Sequence, residues 1–403
     1  MTREDRPVID EPVADFAIEE LFLSRTDERG VIQSGNSVFA RLAGYEWKEL
    51  IGAPHRLIRH PDMPKGVFHL MWETLKAGHS FGGYVKNRSK DGRYYWVFAV
   101  VVPVEGGYLS VRLKPSAGVL DEVVKLYRRQ GKAEAGGMTP EDSAKAVVQA
   151  VRDMGFWDYS AFMGYALGME FTARAEAMGS FVPPGVRQFH EMGDHLGELM
   201  KEVKQVQDSF GRIRNSPANL IILGSRLQTN REAMKVVAQN YGLLAEELLR
   251  AISELAEGLE VLLNTAFDGR MGYCASFLYR EAIEQFRLTE PNRETWGHEK
   301  EVEILVAALK RFSDAAIGGC SQIGSEVGRF TNLANQLRRQ VSGLAVTRVI
   351  CRIETAAIRE ETSGIDDVAE QLAIFQGELE QSLDRINLAC QGLGTRADRL
   401  RAA

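Results

Sequence analysis

One short stretch of the chain combines residue types that suit ligand chemistry. Arg59, His60 and Asp62 lie within four positions of one another in the string Ile58-Arg59-His60-Pro61-Asp62. An arginine offers a rigid fork of N–H donors that matches a phosphate group. The same side chains also suit an internal cluster of ion pairs and hydrogen bonds, and Asp62 suits a turn cap after Pro61. Ligand binding and local structure are both open interpretations of this stretch.

Two further side chains have the properties needed to contact an aromatic ring. Trp72 offers a flat face for stacking, and the amide of Asn87 carries both a donor and an acceptor. Each also has a structural interpretation. A tryptophan on a helix face is often a core residue, and an asparagine beside a hairpin can serve the turn alone.

Enzyme motifs are absent from the sequence. There is no GxxxxGK[ST] phosphate loop, no HExxH, no GxSxG, no histidine-kinase signature and no GGDEF-like string. The four cysteines are widely spaced without a CxxC pair, which argues against a disulfide scaffold or a cysteine zinc site. His190 and His195 are five positions apart, off the i, i+4 spacing of a helical metal site. We expect a protein that is not an enzyme and that has no metal site made of cysteines or of this histidine pair.

Composition sets the broad class of the protein. The chain has 403 residues, 45% of them hydrophobic and 26% charged, with a net charge of −6. These values are typical of a soluble globular protein of two or three domains, and the acidic balance gives no reason to expect nucleic acid as a partner. The first residues are too charged for a secretory signal. Uncharged runs reach about 11 residues, short of the roughly 20 that a spanning helix needs. We therefore expect a cytoplasmic protein without a membrane span.

Residues 20–114 show the pattern of a mixed α/β unit. Short strands are predicted at residues 21–23 and 31–32, around a turn at Asp27–Gly30. Helix-like spacing interrupted by glycine and proline fills residues 36–80. Three more strands are predicted, joined by Asp-Gly and Glu-Gly turns, at residues 83–88, 93–104 and 107–114. This pattern indicates a small antiparallel sheet with helices packed beside it.

The remainder of the chain is predicted to be helical. Thr139-Pro140-Glu141-Asp142 is a helix start, with a capping residue, a proline at the first position and acids in the first turn. Residues 115–138 are interpreted as a linker with one short helix near 119–129. Three later stretches, at residues 234–262, 302–337 and 365–393, repeat apolar residues every three or four positions. This spacing is typical of helices packing along a narrow seam. The seams are consistent with a bundle inside one chain or with a homodimer.

Residues 26–116 resemble a PAS sensor domain, and within that superfamily the aerotaxis-receptor type. The resemblance rests on short strings that occur in the family's order and at matching spacing. They are Gly35-Asn36-Ser37, Gly44-Tyr45, Arg59-His60-Pro61-Asp62-Met63-Pro64, Met71-Trp72, Leu75-Lys76-Ala77-Gly78, Val85-Lys86-Asn87-Arg88 and Tyr95-Trp96-Val97.

The resemblance implies a cofactor and a set of contacts. Members of this family hold flavin adenine dinucleotide (FAD) non-covalently in the PAS cavity and report its redox state. Matching positions assign the flavin contacts to Asn36, Arg59, His60, Asp62, Trp72 and Asn87. Haem bound through His60 or His69 is the alternative cofactor, and a cavity with no ligand or another ligand is a third possibility. Cysteinyl-flavin photochemistry is excluded, because no cysteine precedes Cys274.

The sequence departs from the family pattern at three positions. Phe81 stands where the family commonly has a second tryptophan, and Phe98 and Val100 stand where it has polar residues. We expect the last two departures to remove flavin contacts and make the cavity more apolar. The helical half resembles chemoreceptor signalling regions only faintly, at Asn219–Leu223 and nearby, and it lacks that family's hairpin tip.

The predicted fold class is an α+β PAS domain followed by an all-α long-helix bundle or coiled coil. The expected divisions are an N-terminal arm (1–19), the PAS domain (20–116), a linker (117–138) and a helical signalling or dimerisation region (139–403). The predicted function is that of a cytoplasmic sensor in aerotaxis or chemotaxis. Redox change at a flavin would alter the contact of the helical region with a protein partner. The alternative is a constitutive scaffold whose PAS domain serves only folding and dimerisation.

Overall fold

The computed structural model describes residues 16–225, 231–289, 297–356 and 363–402. Most of the predicted N-terminal arm, residues 1–15, lies outside this range. Contacts divide the chain into two compact units. Unit 1 comprises residues 1–187 together with 267–319, and unit 2 comprises 188–266 together with 320–403. These limits differ from the predicted division at residues 116 and 138.

Helices occupy most of the described chain. A 3-10 helix covers His55–Ile58. The α-helices are α1 (Ser37–Ala43), α2 (Trp47–Leu50), α3 (Lys65–Lys76), α4 (Val119–Ala135), α5 (Pro140–Asp153), α6 (Tyr159–Ala177), α7 (Pro184–Ile213), α8 (Ser216–Ser225), α9 (Arg231–Thr289), α10 (His298–Ala356) and α11 (Ser363–Ala402).

Unit 1 is built on a five-stranded antiparallel sheet with the strand order β2-β1-β5-β4-β3. This sheet, with helices beside it and long helices after it, confirms the predicted fold class. The five predicted strands are present, shifted by a few residues at their ends. They are β1 (Phe22–Thr26), β2 (Ile32–Gly35), β3 (Phe81–Arg88), β4 (Tyr94–Val104) and β5 (Gly107–Leu113).

Two acidic turns join neighbouring strands as the sequence predicts. Asp27 Oδ1 accepts the backbone N–H groups of Arg29 and Val31, both at 2.9 Å, and so closes the turn between β1 and β2. Gly30 has a φ of 78°, a left-handed conformation that a side chain would make unfavourable. At the other hairpin, Asp91 Oδ1 accepts the Arg93 N–H at 3.1 Å.

Side chains alternate between the two faces of the sheet, and the two faces have different coverings. We call the face that carries Phe81, Val85, Asn87, Ala99 and Arg112 the inner face. The 3-10 helix and α3 contribute side chains that face it. The opposite, outer face packs beneath helices. Its residues include Tyr84, Phe98, Val100, Val102, Leu109, Val111 and Leu113, all buried.

Tyrosine hydroxyls attach the covering helices to the outer face. Tyr279 in α9 donates to the Val100 carbonyl at 3.2 Å, and Tyr127 in α4 donates to the Tyr84 carbonyl at 3.1 Å. Tyr84 itself donates to Glu170 of α6 at 2.6 Å. Unit 1 thus takes its outer covering from two distant parts of the sequence.

The predicted linker is therefore packed structure within unit 1. Helix α4 ends at Ala135 rather than near residue 129, since Gly131 does not interrupt it, and it buries Val123, Leu126 and Tyr127. The capped helix start at Thr139 is confirmed: the Thr139 hydroxyl accepts the Asp142 N–H at 3.1 Å. Aromatic residues of the next segment also pack on the sheet, where Tyr159 stacks on Phe81 with ring centres 5.5 Å apart.

Unit 2 is formed by long helices packed side by side. Phe210 of α7 contacts Phe375 of α11, with ring centres 6.2 Å apart, and Arg338 of α10 pairs with Asp384 of α11 at 2.5 Å. The apolar positions of the predicted seams are buried within this one chain, for example Leu248, Leu255, Phe330, Leu337, Leu372, Leu379 and Ile386. Two seam residues, Met234 and Ile365, have side chains outside the described part of the structure.

Candidate functional site

A cavity of about 270 Å³ lies in unit 1, against the inner face of the sheet. Side chains from β1, β3, β4 and β5 line one side of it, and α3 with the segment around the 3-10 helix lines the other. The sheet contributes Ser24, Thr26, Phe81, Val85, Asn87, Ala99, Val101, Tyr108, Ser110 and Arg112. The remaining lining residues are Arg29, Gly30, Pro54, His55, Arg56, Arg59, Phe68, Met71, Trp72 and Leu75.

Much of the cavity wall is apolar or aromatic. Its apolar lining includes Phe68, Met71 and Leu75 of α3 and, on the inner face, Ala99 and Val101 of β4. Trp72 meets Tyr108 of β5 edge to face, with ring centres 5.2 Å apart. These surfaces suit the faces of a planar organic ligand.

Two polar groups of the cavity lining have no hydrogen-bond partner among the described residues. They are Nδ2 of Asn87 and Oγ of Ser110, and both residues are at least 95% buried. An unpartnered buried polar atom costs about 1–3 kcal/mol of stability. Because both groups line the cavity, they are available to a bound ligand.

Four arginines contribute to the lining, which gives the cavity a cationic character. Arg29 is exposed and pairs with Asp27 at 3.3 Å. Arg59 is half-buried, and its guanidinium carbon lies 3.1 Å from the centre of the Phe68 ring. Burial lowers the pKa of Arg59 to about 10, against the opposing effect of the Glu134 carboxylate. Arg59 therefore stays charged at neutral pH.

Arg112 is the arginine that lies on the sheet itself. It is 5% exposed, and its guanidinium donates to Ser24 Oγ at 2.9 Å and lies 2.9 Å from His55 Nε2. Burial lowers the pKa of Arg112 to about 10, so it too remains a cation at neutral pH.

His55 is held neutral by its surroundings. Burial lowers the pKa of His55 to about 3, and the charges of Arg112 and Arg59 act in the same direction. A neutral imidazole has one nitrogen that can accept a hydrogen bond, and here Nε2 accepts from Arg112. His55 is therefore a neutral support for a neighbouring cation.

Three of the six predicted contact residues line the cavity: Arg59, Trp72 and Asn87. Asn36 does not. Its Oδ1 accepts the N–H groups of Leu23 and Phe39, at 3.0 and 3.1 Å, and its Nδ2 donates to the Leu21 carbonyl at 2.7 Å. Asn36 thus caps α1 and joins it to β1.

His60 and Asp62 also lie outside the lining. The Asp62 N–H donates to His60 Nδ1 at 3.1 Å, and the Asp62 carboxylate pairs with Lys86 at 2.9 Å. The second candidate haem ligand, His69, also lies outside the lining and is 3.4 Å from the Glu73 carboxylate on its own helix. His55 is the lining histidine that the sequence interpretation missed.

The expected effect of the departures at Phe98 and Val100 is wrong. Both side chains lie on the outer face, where Phe98 packs edge to face on Tyr84 with ring centres 5.0 Å apart. Adjacent residues of a strand point to opposite faces, and the cavity-lining residues of β4 are Ala99 and Val101. Apolar residues at these two positions therefore do not make the cavity more apolar. Phe81, the third departure, does line it.

Sequence comparison identifies the cavity-bearing part of the chain. The family model described as PAS fold matches residues 34–110. The aerotaxis receptor of Escherichia coli is 40% identical over 127 residues, which cover 30% of this chain and 25% of that protein. The biofilm dispersion protein BdlA of Pseudomonas aeruginosa is 33% identical over 200 residues, covering 47% of this chain and 45% of that protein.

These findings define the domain. Residues 34–110 form a PAS domain, and it is of the aerotaxis-receptor type that the motifs indicated. The match spans 25% of the length of the aerotaxis receptor and 45% of the length of BdlA, which is less than half of either relative. A solved PAS domain from Colwellia psychrerythraea is 25% identical, with a TM-score of 0.21, and the match covers 23% of this chain and 85% of that one.

Two kinds of feature are absent from the described residues. None of the described helices has a stretch both long and apolar enough to cross a membrane. The same part of the chain contains no cluster of three or more histidine, cysteine, aspartate or glutamate side chains placed to hold a metal ion.

The lowered pKa of His55 predicts a loss of stability in acid. An unfolded histidine takes up a proton near pH 6.5, whereas His55 in the fold resists protonation down to about pH 3. Folding is therefore destabilised as the pH falls below 6.5, by at most about 2 kcal/mol at pH 5. We expect His55→Gln, which keeps an acceptor for Arg112, to lose less stability than the wild type between pH 7 and pH 5.

Denaturant unfolding followed by circular dichroism at several pH values measures this effect. His79→Gln, at an exposed position, is the matched control and should follow the wild type. Identical pH dependence of the wild type and the His55 variant would contradict the assignment.

Proposed function

We propose that this protein is a sensor whose PAS domain binds flavin, as FAD, and reports its redox state. The observation that carries the proposal is the cavity of unit 1, in which unpartnered donors of Asn87 and Ser110 face a space between apolar walls. The similarity to an aerotaxis receptor supports it. In this proposal the protein is a sensor and not an enzyme.

The residues present fit such a cofactor. Trp72 and the side chains of α3 provide surfaces for the ring, and Asn87 and Ser110 provide polar groups for its edge. Arg59 provides a donor fork for a phosphate. A bound flavin supplies reversible electron transfer, while the protein supplies position and electrostatics.

The placement of three histidines, His55, His60 and His69, favours flavin over haem as the ligand. Haem ligation needs a free ring nitrogen directed at the iron. His60 and His69 do not line the cavity, and the Nε2 of His55 accepts a hydrogen bond from Arg112. This arrangement supports a cofactor held by hydrogen bonds and stacking.

We expect the purified full-length protein to bind FAD and to show the visible absorption of a flavin. Asn87→Ala should weaken FAD binding by about tenfold, since it removes a hydrogen bond worth about 1 kcal/mol and leaves a gap beside the ring. Titration followed by flavin fluorescence measures the affinity. Asn219→Ala, an exposed asparagine of unit 2, is the matched control and should bind as the wild type.

The spectrum distinguishes the alternatives. A protein that is colourless as purified and cannot be reconstituted with FAD would exclude the flavin proposal. A strong band near 400 nm with haem extracted in stoichiometric amount would favour the haem alternative.

A buried carboxylate connects the sheet to the helix that follows it. Glu170 accepts the Tyr84 hydroxyl at 2.6 Å and the N–H groups of Ser116 and Ala117 at 2.6 and 3.0 Å. Tyr84 is three residues from Asn87 on β3, and Ser116 lies just before α4. Burial raises the pKa of Glu170, and the Ser116 N–H and Tyr84 hydroxyl oppose this change. In our proposal a redox-dependent shift of β3 reaches α4 through Glu170.

Hydrogen exchange of the flavin-loaded protein tests this connection. We expect the exchange of α4 amides to differ between oxidised and reduced protein, and Glu170→Gln to reduce that difference by at least half. Glu122→Gln, at an exposed position on α4, is the matched control. An exchange profile that does not change with redox state in the wild type would favour the constitutive scaffold.

In this proposal the protein is cytoplasmic and its helical region transmits the signal. The helical region also contacts a second copy of the chain. Four apolar side chains near the end of α10 are between 40% and 61% exposed: Val346, Val349, Ile350 and Ile353. Their spacing of three and four residues is that of a helix seam. A two-fold axis would bring the same stripe of each copy together. A partner protein in aerotaxis or chemotaxis would engage the dimer.

Light scattering of the full-length protein measures the association. We expect a mass of twice 44.9 kDa for the wild type and a monomer for Ile353→Glu, which places a charge in the seam. Ile317→Glu, on the same helix and 68% exposed in the wild type, should remain dimeric. A monomeric wild type would contradict the dimer.

A further inference from the structure

Arg112 carries a buried charge for which the described residues offer no counter-charge. It is 5% exposed, and no carboxylate of the described residues forms an ion pair with it. The partners of its guanidinium are the hydroxyl of Ser24 and the neutral ring of His55. Burying a charge without a counter-ion costs folding free energy, and buried charges in proteins are usually paired with an opposite charge. Because Arg112 lines the cavity, a bound ligand is in a position to compensate its charge.

We propose that Arg112 is a ligand-recognition residue, and that it contacts hydrogen-bond acceptors at the end of the ligand that lies against the sheet. The inference rests on the proposed flavin function and extends it to a residue that the motifs did not indicate. The class of ligand is an acceptor-rich ring that is neutral or anionic. A cationic ligand is disfavoured by the four arginines of the lining.

The supports of Arg112 leave donors for a ligand. A guanidinium has five N–H groups in a planar fork, and the described side chains Ser24 and His55 occupy two of them. Both supports come from the cavity wall, Ser24 from β1 beside β5 and His55 from the 3-10 helix. They fix the plane of the fork, and so Ser24 and His55 are positioning residues.

Arg112 and Asn87 both line the side of the cavity that lies against the sheet. Arg112 is on β5 and Asn87 is on β3, and one strand, β4, lies between them. The unpartnered Nδ2 of Asn87 and the Arg112 fork together make this end of the cavity rich in donors.

Arg59 differs from Arg112 in its setting. It is more exposed, lies after the 3-10 helix rather than on the sheet, and stacks on Phe68 of α3. We assign the ring of the flavin to Arg112 and its phosphate to Arg59. Loss of Arg112 should therefore weaken the binding of every flavin, whereas loss of Arg59 should weaken only flavins that carry phosphate.

The test measures affinities of the full-length protein for riboflavin, FMN and FAD by fluorescence titration. We expect Arg112→Gln to weaken all three by a similar factor of at least ten, because all three have the same ring. Arg59→Gln should weaken FMN and FAD but leave riboflavin within twofold of the wild type. Arg93→Gln, an exposed arginine outside the cavity, is the control for charge and should match the wild type.

A conservative variant keeps the test valid if Arg112→Gln does not fold. Arg112→Lys retains the charge and loses the fork, and we expect an intermediate loss of affinity that is again equal for the three flavins. Circular dichroism establishes that each variant is folded.

The outcomes separate this inference from the proposed function. If the wild type binds none of the three flavins, both are overturned. If the wild type binds FAD while the folded Arg112 variants bind as the Arg93 control does, only the role of Arg112 is overturned. A loss confined to FMN and FAD would place Arg112 at the phosphate and would overturn its assignment to the ring.

Discussion

The alternation of side chains across the five-stranded sheet is the constraint on which unit 1 depends. Each strand sends every second residue to the outer face, where apolar packing with helices stabilises the fold. The residues between them face inward. Phe22, Tyr95 and Val97 pack there in a second apolar core, and the inner-face positions beside that core are small or polar. Ala99 leaves space, and Asn87, Ser110 and Arg112 supply polar groups. The outer face is thus given to packing, and the inner face combines packing with the cavity.

Charge in the cavity follows a consistent pattern. Arginines contribute to the lining, and the lining histidine is neutral. The lining polar atoms that have no partner among the described residues are an amide nitrogen and a hydroxyl. Such a surface is incomplete by itself, since buried polar groups require hydrogen bonds. A ligand with acceptors along its edge would complete it, and the protein's stability and its ligand occupancy would then be thermodynamically linked.

The sequence predicted the sheet well because strand residues and turn residues carry local signals. Asp27 and Asp91 marked turns that the structure contains, and the strings around Arg59, Trp72 and Asn87 located half of the predicted contacts in the cavity. The motifs could not separate Asn36 from these, because a capping asparagine and a binding asparagine look alike in sequence. Arg112 and His55 were missed for another reason: their proximity arises only when β5 packs against the 3-10 helix. Counting alternate residues along β4 would have placed Phe98 on the outer face.

The recognisable family segment is smaller than the folded body that contains it. Unit 1 needs residues from α4 and α6. It also needs residues that follow the first segment of unit 2 in the sequence, such as Tyr279 of α9, which covers the sheet. Excision of residues 34–110 alone would expose Val100, Val102 and Leu109 to water and would invite aggregation. The domain is therefore a poor candidate for transplantation into a chimaera, and expression boundaries drawn from homology alone would cut through its core.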